Sequence, residues 1–225
     1  MDVSFISVLA LGFVLGIKHA IEPDHIIAVS TIASRSKKLS QSSLAGVFWG
    51  IGHTATLFIV GICLLIIKGE IPEKWAMSLE FLVGIMLVYL GITTLTAFKR
   101  ARINHHYHIP GHKHPSGNYS YIKSVCIGLV HGLAGSGAMV LLTMSTVKSV
   151  VESAVYILIF GIGTIFGMLF FTTILGIPFI ISAKRVEVNK TLTQITGAIS
   201  TVFGIYYMYN LGIGEGLFKM WLQSL

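Results

Sequence analysis

The sequence predicts an all-α integral membrane protein, six transmembrane helices arranged as two inverted three-helix repeats. Three observations predict it. Of 225 residues 54% are hydrophobic and only 11% charged, with a mean hydropathy of +0.81, a balance found in membrane proteins and not in soluble domains. Six apolar stretches each reach the roughly 20 residues that a bilayer crossing requires. Glycine-centred patterns of the first half return in order in the second.

The first stretch, residues 3–33, contains Lys18-His19-Ala20-Ile21-Glu22-Pro23-Asp24-His25, in which five of eight side chains are ionisable. One charge at a bilayer centre costs roughly 2.5–3.5 kcal/mol even on lenient insertion scales, so the cluster reads as a polar site inside a membrane helix. Two short helices joined by a surface loop is the alternative, but residues 3–17 and 26–33 are then too short to span. Pro23 removes a backbone donor and breaks the helix. Lys18 and Glu22, four residues apart, are expected to neutralise each other.

The second stretch (44–67) follows Arg35, Lys37 and Lys38 and carries His53 behind Gly50-Ile51-Gly52. The third (76–98) follows Gly69 and Pro72, and a long polar loop separates it from the fourth (121–147). That fourth stretch holds His131 and the run Gly132-Leu133-Ala134-Gly135-Ser136-Gly137, whose small residues suit close backbone approach or unwinding. The fifth (154–182) and sixth (192–211) are separated by a charged segment, 183–190. Trp49, Trp75, Trp221 and Tyr206-Tyr207-Met208-Tyr209 read as interfacial anchors. Cys63, Cys126, Met139, Met144 and Met168 read as packing residues. Asp2 is the only early charge, so no removable signal peptide is expected.

The repeat is legible residue by residue. Gly12 and Gly16 match Gly128 and Gly132 at an offset of 116; Gly50 and Gly52 match Gly161 and Gly163 at 111; Gly84 and Gly91 match Gly197 and Gly204 at 113. With three spans per half, the halves cross the membrane in opposite senses, as in many secondary transporters. One membrane domain over 1–225 therefore divides into a first repeat (3–98), a histidine-rich loop (99–120) and a second repeat (121–213). Loops one, three and five carry eleven Lys and Arg against four on the opposite side. That bias puts those loops in the cytoplasm of a bacterial inner membrane and both termini outside. The net charge of +7 suits anionic headgroups, and no aromatic-interleaved basic stripe suggests nucleic acid.

The chemistry is concentrated in half one: His19 aligns with Gly135, and His53 with Thr164. On a regular helix Asp24 lies about 140° from His19 and His25 about 120° the other way, so all three face one ion only if the helix unwinds at Pro23. Two imidazoles and a carboxylate suit nickel, cobalt, zinc or copper rather than magnesium or calcium. His53 is a further ligand or a residue that orients one. Glu22, His131 and Ser136 are candidates to line the ion path. In the loop, His105, His106, His108, His112 and His114 form either a weak cytoplasmic metal collector or a solvated segment with incidental histidines.

His19-(x4)-Asp24-His25 resembles the His-x4-Asp-His signature of the nickel/cobalt permease family, and Gly52-His53-Thr54 resembles the Gly-His-Ser/Thr element of its next helix. The layout is similar to the short six-span members associated with urease maturation. The resemblance implies uptake of Ni²⁺ or Co²⁺ as transported substrate, no permanent cofactor, and a site of His19, Asp24, His25 and His53. It also implies metallochaperones or urease-maturation proteins as cytoplasmic partners. Glu22-Pro23 stands where many members have Asp-Ala. Efflux by the same architecture is the alternative. An intramembrane enzyme is disfavoured, because neither Gly-x-Ser-Gly with a late-span histidine nor His-Glu-x-x-His is present. The absence of a P-loop leaves the drive to membrane potential, protons or a partner.

Overall fold

A computed structural model describes residues 3–67, 71–97, 121–146 and 149–223, with only the backbone path for residues 3–4 and 136–146. The described residues are helical, with no strand among them. In order they form α1 (Val3–His19), α2 (Pro23–Ala33), α3 (Leu39–Ile67), α4 (Glu73–Leu95), α5 (Tyr121–Thr146), α6 (Val150–Ser182) and α7 (Val186–Tyr209). A π-helical turn, Asn210–Gly214, and a short α8, Leu217–Leu222, follow.

The first apolar stretch is broken where Pro23 requires it. The α1 hydrogen-bond ladder gives way to tight turns, with Ile21 N–H donating to the Lys18 carbonyl and Glu22 N–H to that of His19, both at 3.1 Å. Glu22 is extended at φ −62°, ψ 146°, the conformation that a residue before proline prefers. Pro23 then opens α2 at a position where its missing N–H leaves no helical bond unmade. The helices meet at 57°, and only the pair together is long and apolar enough to cross a membrane.

α3, α4 and α6 are each long and apolar enough to cross a membrane unaided. Outward faces are strongly apolar: Ile59, Ile66, Phe166, Phe170 and Val202 are all exposed. Surfaces of that kind suit lipid, and the chain is an integral membrane protein.

Small residues set the helix contacts, as expected where lipid supplies no hydrophobic drive for association. Gly50 lies against Ile165 and Gly161 against Thr54, joining α3 to α6. Gly84 meets Gly204 and Gly91 meets Gly197 between α4 and α7. Gly132 of α5 lies on the His53 carbonyl of α3, and Gly16 of α1 on the Phe160 carbonyl of α6. Thr164 donates a hydrogen bond to the Gly16 carbonyl at 3.2 Å, fixing the end of α1. These contacts gather the break in α1–α2, the middle of α3 and the first half of α5 in one place.

Of the two uses expected of the Gly132–Gly137 run, close approach is the one seen: α5 is continuous helix through it, and Gly132 lies on the His53 carbonyl of α3. One expectation is corrected here. Cys63 and Cys126 are exposed rather than packed inside, each on an outward helix face. Met168 packs in the core as expected. The side chains of Met139 and Met144 lie outside the described residues.

Candidate metal centre

The break delivers the ligands. His19 is the last residue of α1, and Asp24 and His25 lie in the first turn of α2. His53 stands fourteen residues from either end of α3, at mid-depth of the span. His131 comes from α5. With the helix interrupted, residues that would diverge on a regular helix converge.

His19 Nε2 lies 3.0 Å from His53 Nε2, and His25 Nδ1 lies 3.1 Å from Asp24 Oδ1. His131 Nε2 faces Asp24 Oδ2 at 3.5 Å. The His25 ring is 4.6 Å from that of His19, 5.2 Å from His53 and 4.8 Å from His131, centroid to centroid. Two donor groups of ion-binding size result: His19, His25 and His53, and Asp24, His25 and His131.

Glu22 accepts a hydrogen bond from His19 Nδ1 at 3.0 Å. This corrects the expected Lys18–Glu22 pair: the chain leaves helical geometry at Ala20, so four-residue spacing no longer brings those side chains together. The pairing matters chemically, because a carboxylate on one ring nitrogen holds the other toward a metal.

His25, His53 and His131 are only 1–2% exposed. Among their nitrogens, His25 Nε2, His53 Nδ1 and both of His131 are buried without a hydrogen-bond partner. Buried polar groups are partnered roughly nine times in ten, so three clustered rings with unpartnered nitrogens suit a group that accepts one lone pair from each neutral imidazole. Imidazole and carboxylate are the donors preferred by borderline divalent ions.

Trp49 walls the centre. It is fully buried, its ring lies 5.6 Å from His25 at an interplanar angle of 11°, and it meets His131 edge-on at 4.9 Å. It is no interfacial anchor: placed one turn before His53 on α3, its indole points into the bundle. Tyr207 is corrected in the same way. Its hydroxyl donates to Glu80 Oε2 at 3.2 Å, and both line a partly open cavity of about 310 Å³ beside His19, Asp24, His25 and His131. Trp75 is exposed, as an anchor should be.

Glu80 lies outside the residues the sequence singles out, although it carries a signal, a carboxylate two turns into the apolar helix α4. Tyr207 had no such signal inside an aromatic run. Of the candidate path residues, Glu22 and His131 line the cavity; the side chain of Ser136 lies outside the described residues. So do His105, His106, His108, His112 and His114.

A family model described as the cytochrome C biogenesis protein transmembrane region matches residues 26–206. The chain is 58% identical to the urease accessory protein UreH of Bacillus sp. (strain TB-90), over 99% of each chain. It is 24% identical to a putative nickel/cobalt efflux system of Methanocaldococcus jannaschii, over 87% of this chain and 89% of that one. It is also 22% identical to the Arabidopsis thaliana chloroplast protein FOR GROWTH AND FERTILITY 1, over 92% of this chain and 60% of the other. No solved structure matches.

Proposed function

The chain belongs to the family of the cytochrome C biogenesis protein transmembrane region, where it stands with the Bacillus urease accessory protein, and on that premise we propose that it is a nickel/cobalt permease. It is a membrane transporter and not an enzyme. Its substrate is Ni²⁺ or Co²⁺, held by His19, Asp24, His25 and His53, with His131 beside them. The observation that carries the site is the convergence of four buried or nearly buried imidazoles and one carboxylate at the break between α1 and α2.

The scaffold is six spans in two inverted repeats, residues 3–98 and 121–213. Contact reciprocity supports this. Under the 111-residue offset the contact of Gly50 with Ile165 becomes that of Gly161 with Thr54, and under the 113-residue offset Gly84 with Gly204 becomes Gly197 with Gly91. Both partners of each pair are in contact, as a two-fold relation demands.

The direction is inward. The cavity opens beside Glu80, near the start of α4, and Tyr207, near the end of α7. The charge bias of the loops makes that the outer face of a bacterial inner membrane. At the opposite end a smaller cavity of about 90 Å³ is lined by Arg35 and Lys123, among the basic residues of the cytoplasmic side. Urease-maturation proteins are the partners that would receive the ion.

The test is uptake into reconstituted vesicles with Ni²⁺, Co²⁺, Zn²⁺ and Mn²⁺, alongside His19→Ala and Asp24→Asn. Nickel or cobalt should accumulate with the wild type and fail with both variants. Wild-type rates from both would sink the site assignment. A deletion strain that loses metal tolerance and keeps nickel-enzyme activity would overturn the inward direction.

A further inference from the structure

We propose that the centre holds its ion at two positions in turn, an outer one made by Asp24, His25 and His131 and a deeper one made by His19, His25 and His53, with His25 common to both. The proposal rests on the permease reading and divides its site in two.

Among the described residues the donors fall into two triples rather than one group of five, with the atoms of each triple within 4.8 Å of one another. An ion with bonds of about 2.0–2.2 Å brings its ligands to roughly 3.3–4.4 Å apart. Each triple therefore closes on an ion with small adjustments, whereas the five donors as placed do not fall within one such group. His25 has the geometry of a shared ligand. Its Nδ1 faces Asp24 at 3.1 Å, while Nε2 is buried without a partner on a ring that packs against those of His19 and His53. One ring nitrogen serves each position.

The order of occupation follows from access. Asp24, His25 and His131 all line the cavity, as does His19 of the second triple, whereas His53 does not, so only the second triple needs a donor from behind the cavity wall. An ion arriving from the mouth meets the carboxylate position first. It completes the all-imidazole position only by reaching His53, which does not line the cavity. A neutral imidazole carries a proton on one ring nitrogen and offers a lone pair on the other, so His25 ligates through Nδ1 or Nε2 but not both, the positions fill alternately, and the chain binds one ion at a time. A carboxylate with two imidazoles recruits a hydrated ion; three imidazoles without one favour nickel and cobalt over hard cations. Selection and recruitment are thus separated along the path.

The experiment is Co²⁺ titration of the purified full-length protein, read by visible absorption and by X-ray absorption fine structure, for the wild type, His53→Asn, His131→Asn and Asp24→Asn. Gel filtration of each variant verifies folding. Wild type should bind one Co²⁺ per chain with a composite spectrum. H131N and D24N should each leave the three-imidazole spectrum, and H53N the spectrum with a carboxylate and two imidazoles. Asp24→Asn keeps the volume of the side chain, so it reads the outer position even if H131N fails to fold. The proposal is overturned if H53N and H131N give the same spectrum, or if D24N and the wild type do. A wild type that binds neither Co²⁺ nor Ni²⁺ would overturn the permease reading itself, a different result from a single uniform site.

Discussion

Gly167→Ala tests whether the position of the α1–α2 break sets the metal site. A methyl built on Gly167 lies 2.6 Å from Cβ of Ala20, 3.2 Å from the Ile17 carbonyl oxygen and 3.3 Å from Ile17 Cα. None of these atoms is the end of a flexible side chain, so no rotamer change relieves the clash. Restoring ordinary methyl contact requires moving the end of α1 about 1 Å from α6, and overpacking of this kind costs typically 1–3 kcal/mol. His19 precedes Ala20 and travels with it, carrying its Nε2 away from His53 Nε2, now 3.0 Å distant. Metal bonds tolerate about 0.2 Å, so Ni²⁺ affinity should fall roughly 10–100-fold, the range seen when ligand support is lost. Gly135→Ala is the control. Its methyl would lie 3.8 Å from His19 Cε1, an ordinary contact, and both substitutions gain the same intrinsic helix preference of about 1 kcal/mol. The two variants should therefore differ by about 1–3 kcal/mol, or several degrees in unfolding temperature for a chain of this size. Thermal unfolding in detergent and isothermal titration with Ni²⁺ supply both readings. A Gly167→Ala protein that melts with Gly135→Ala and binds Ni²⁺ like the wild type would refute the reasoning.

Trp49→Ala should destabilise by about 3–5 kcal/mol, the range for removing a buried aromatic, and should weaken metal binding by releasing the rings of His25 and His131; unfolding and Ni²⁺ titration measure the two effects, and a purely interfacial Trp49 would show neither. Protons and metal compete for the same imidazole and carboxylate atoms, so Ni²⁺ should bind more tightly at pH 7.5 than at pH 5. Equilibrium dialysis that finds equal affinity from pH 5 to 8 would rule out this donor chemistry.

The parts of the structure that depend on neighbours in the chain were legible in advance. Pro23 and the charge density of residues 18–25 announce a broken span, because proline's chemistry and the cost of charge in lipid act locally. The spans formed by α3, α4 and α6 follow from length and hydropathy alone. What could not be read was which face of a helix turns inward. Apolar composition on every side gives helices such as α3 and α6 no stripe to orient them, since lipid and protein interior are equally apolar. Residue type alone therefore assigns Trp49 and Tyr207 to the interface, whereas their positions one turn before His53 and opposite Glu80 place them at the centre. The glycines did carry the missing orientation. Most of the described helix glycines mark a close contact, and Gly128 and Gly132 identify the face of α5 that meets Trp49 and His53.

The proposed repeat also explains why four of the five donors lie in the first half, with His131 alone coming from the second. Residues near a two-fold axis lie close to their own equivalents, so a large side chain there requires a small partner. His19 aligns with Gly135, and Gly135 is the residue whose added methyl would touch the His19 ring. A histidine at both positions would place two imidazoles in one volume. His53 aligns with Thr164, and the threonine bonds the Gly16 carbonyl at the end of α1 instead of reaching toward an ion. The second half thus supplies space and anchoring at the positions where the first supplies donors. Asymmetry of this kind lets a single ion position, or two adjacent ones, sit near mid-depth in a scaffold whose backbone repeats. On this reasoning Gly135→His should abolish Ni²⁺ binding while Gly135→Ala preserves it, because only the larger side chain takes the volume that His19 needs. Retained binding in Gly135→His would mean that the two positions are not neighbours across an axis.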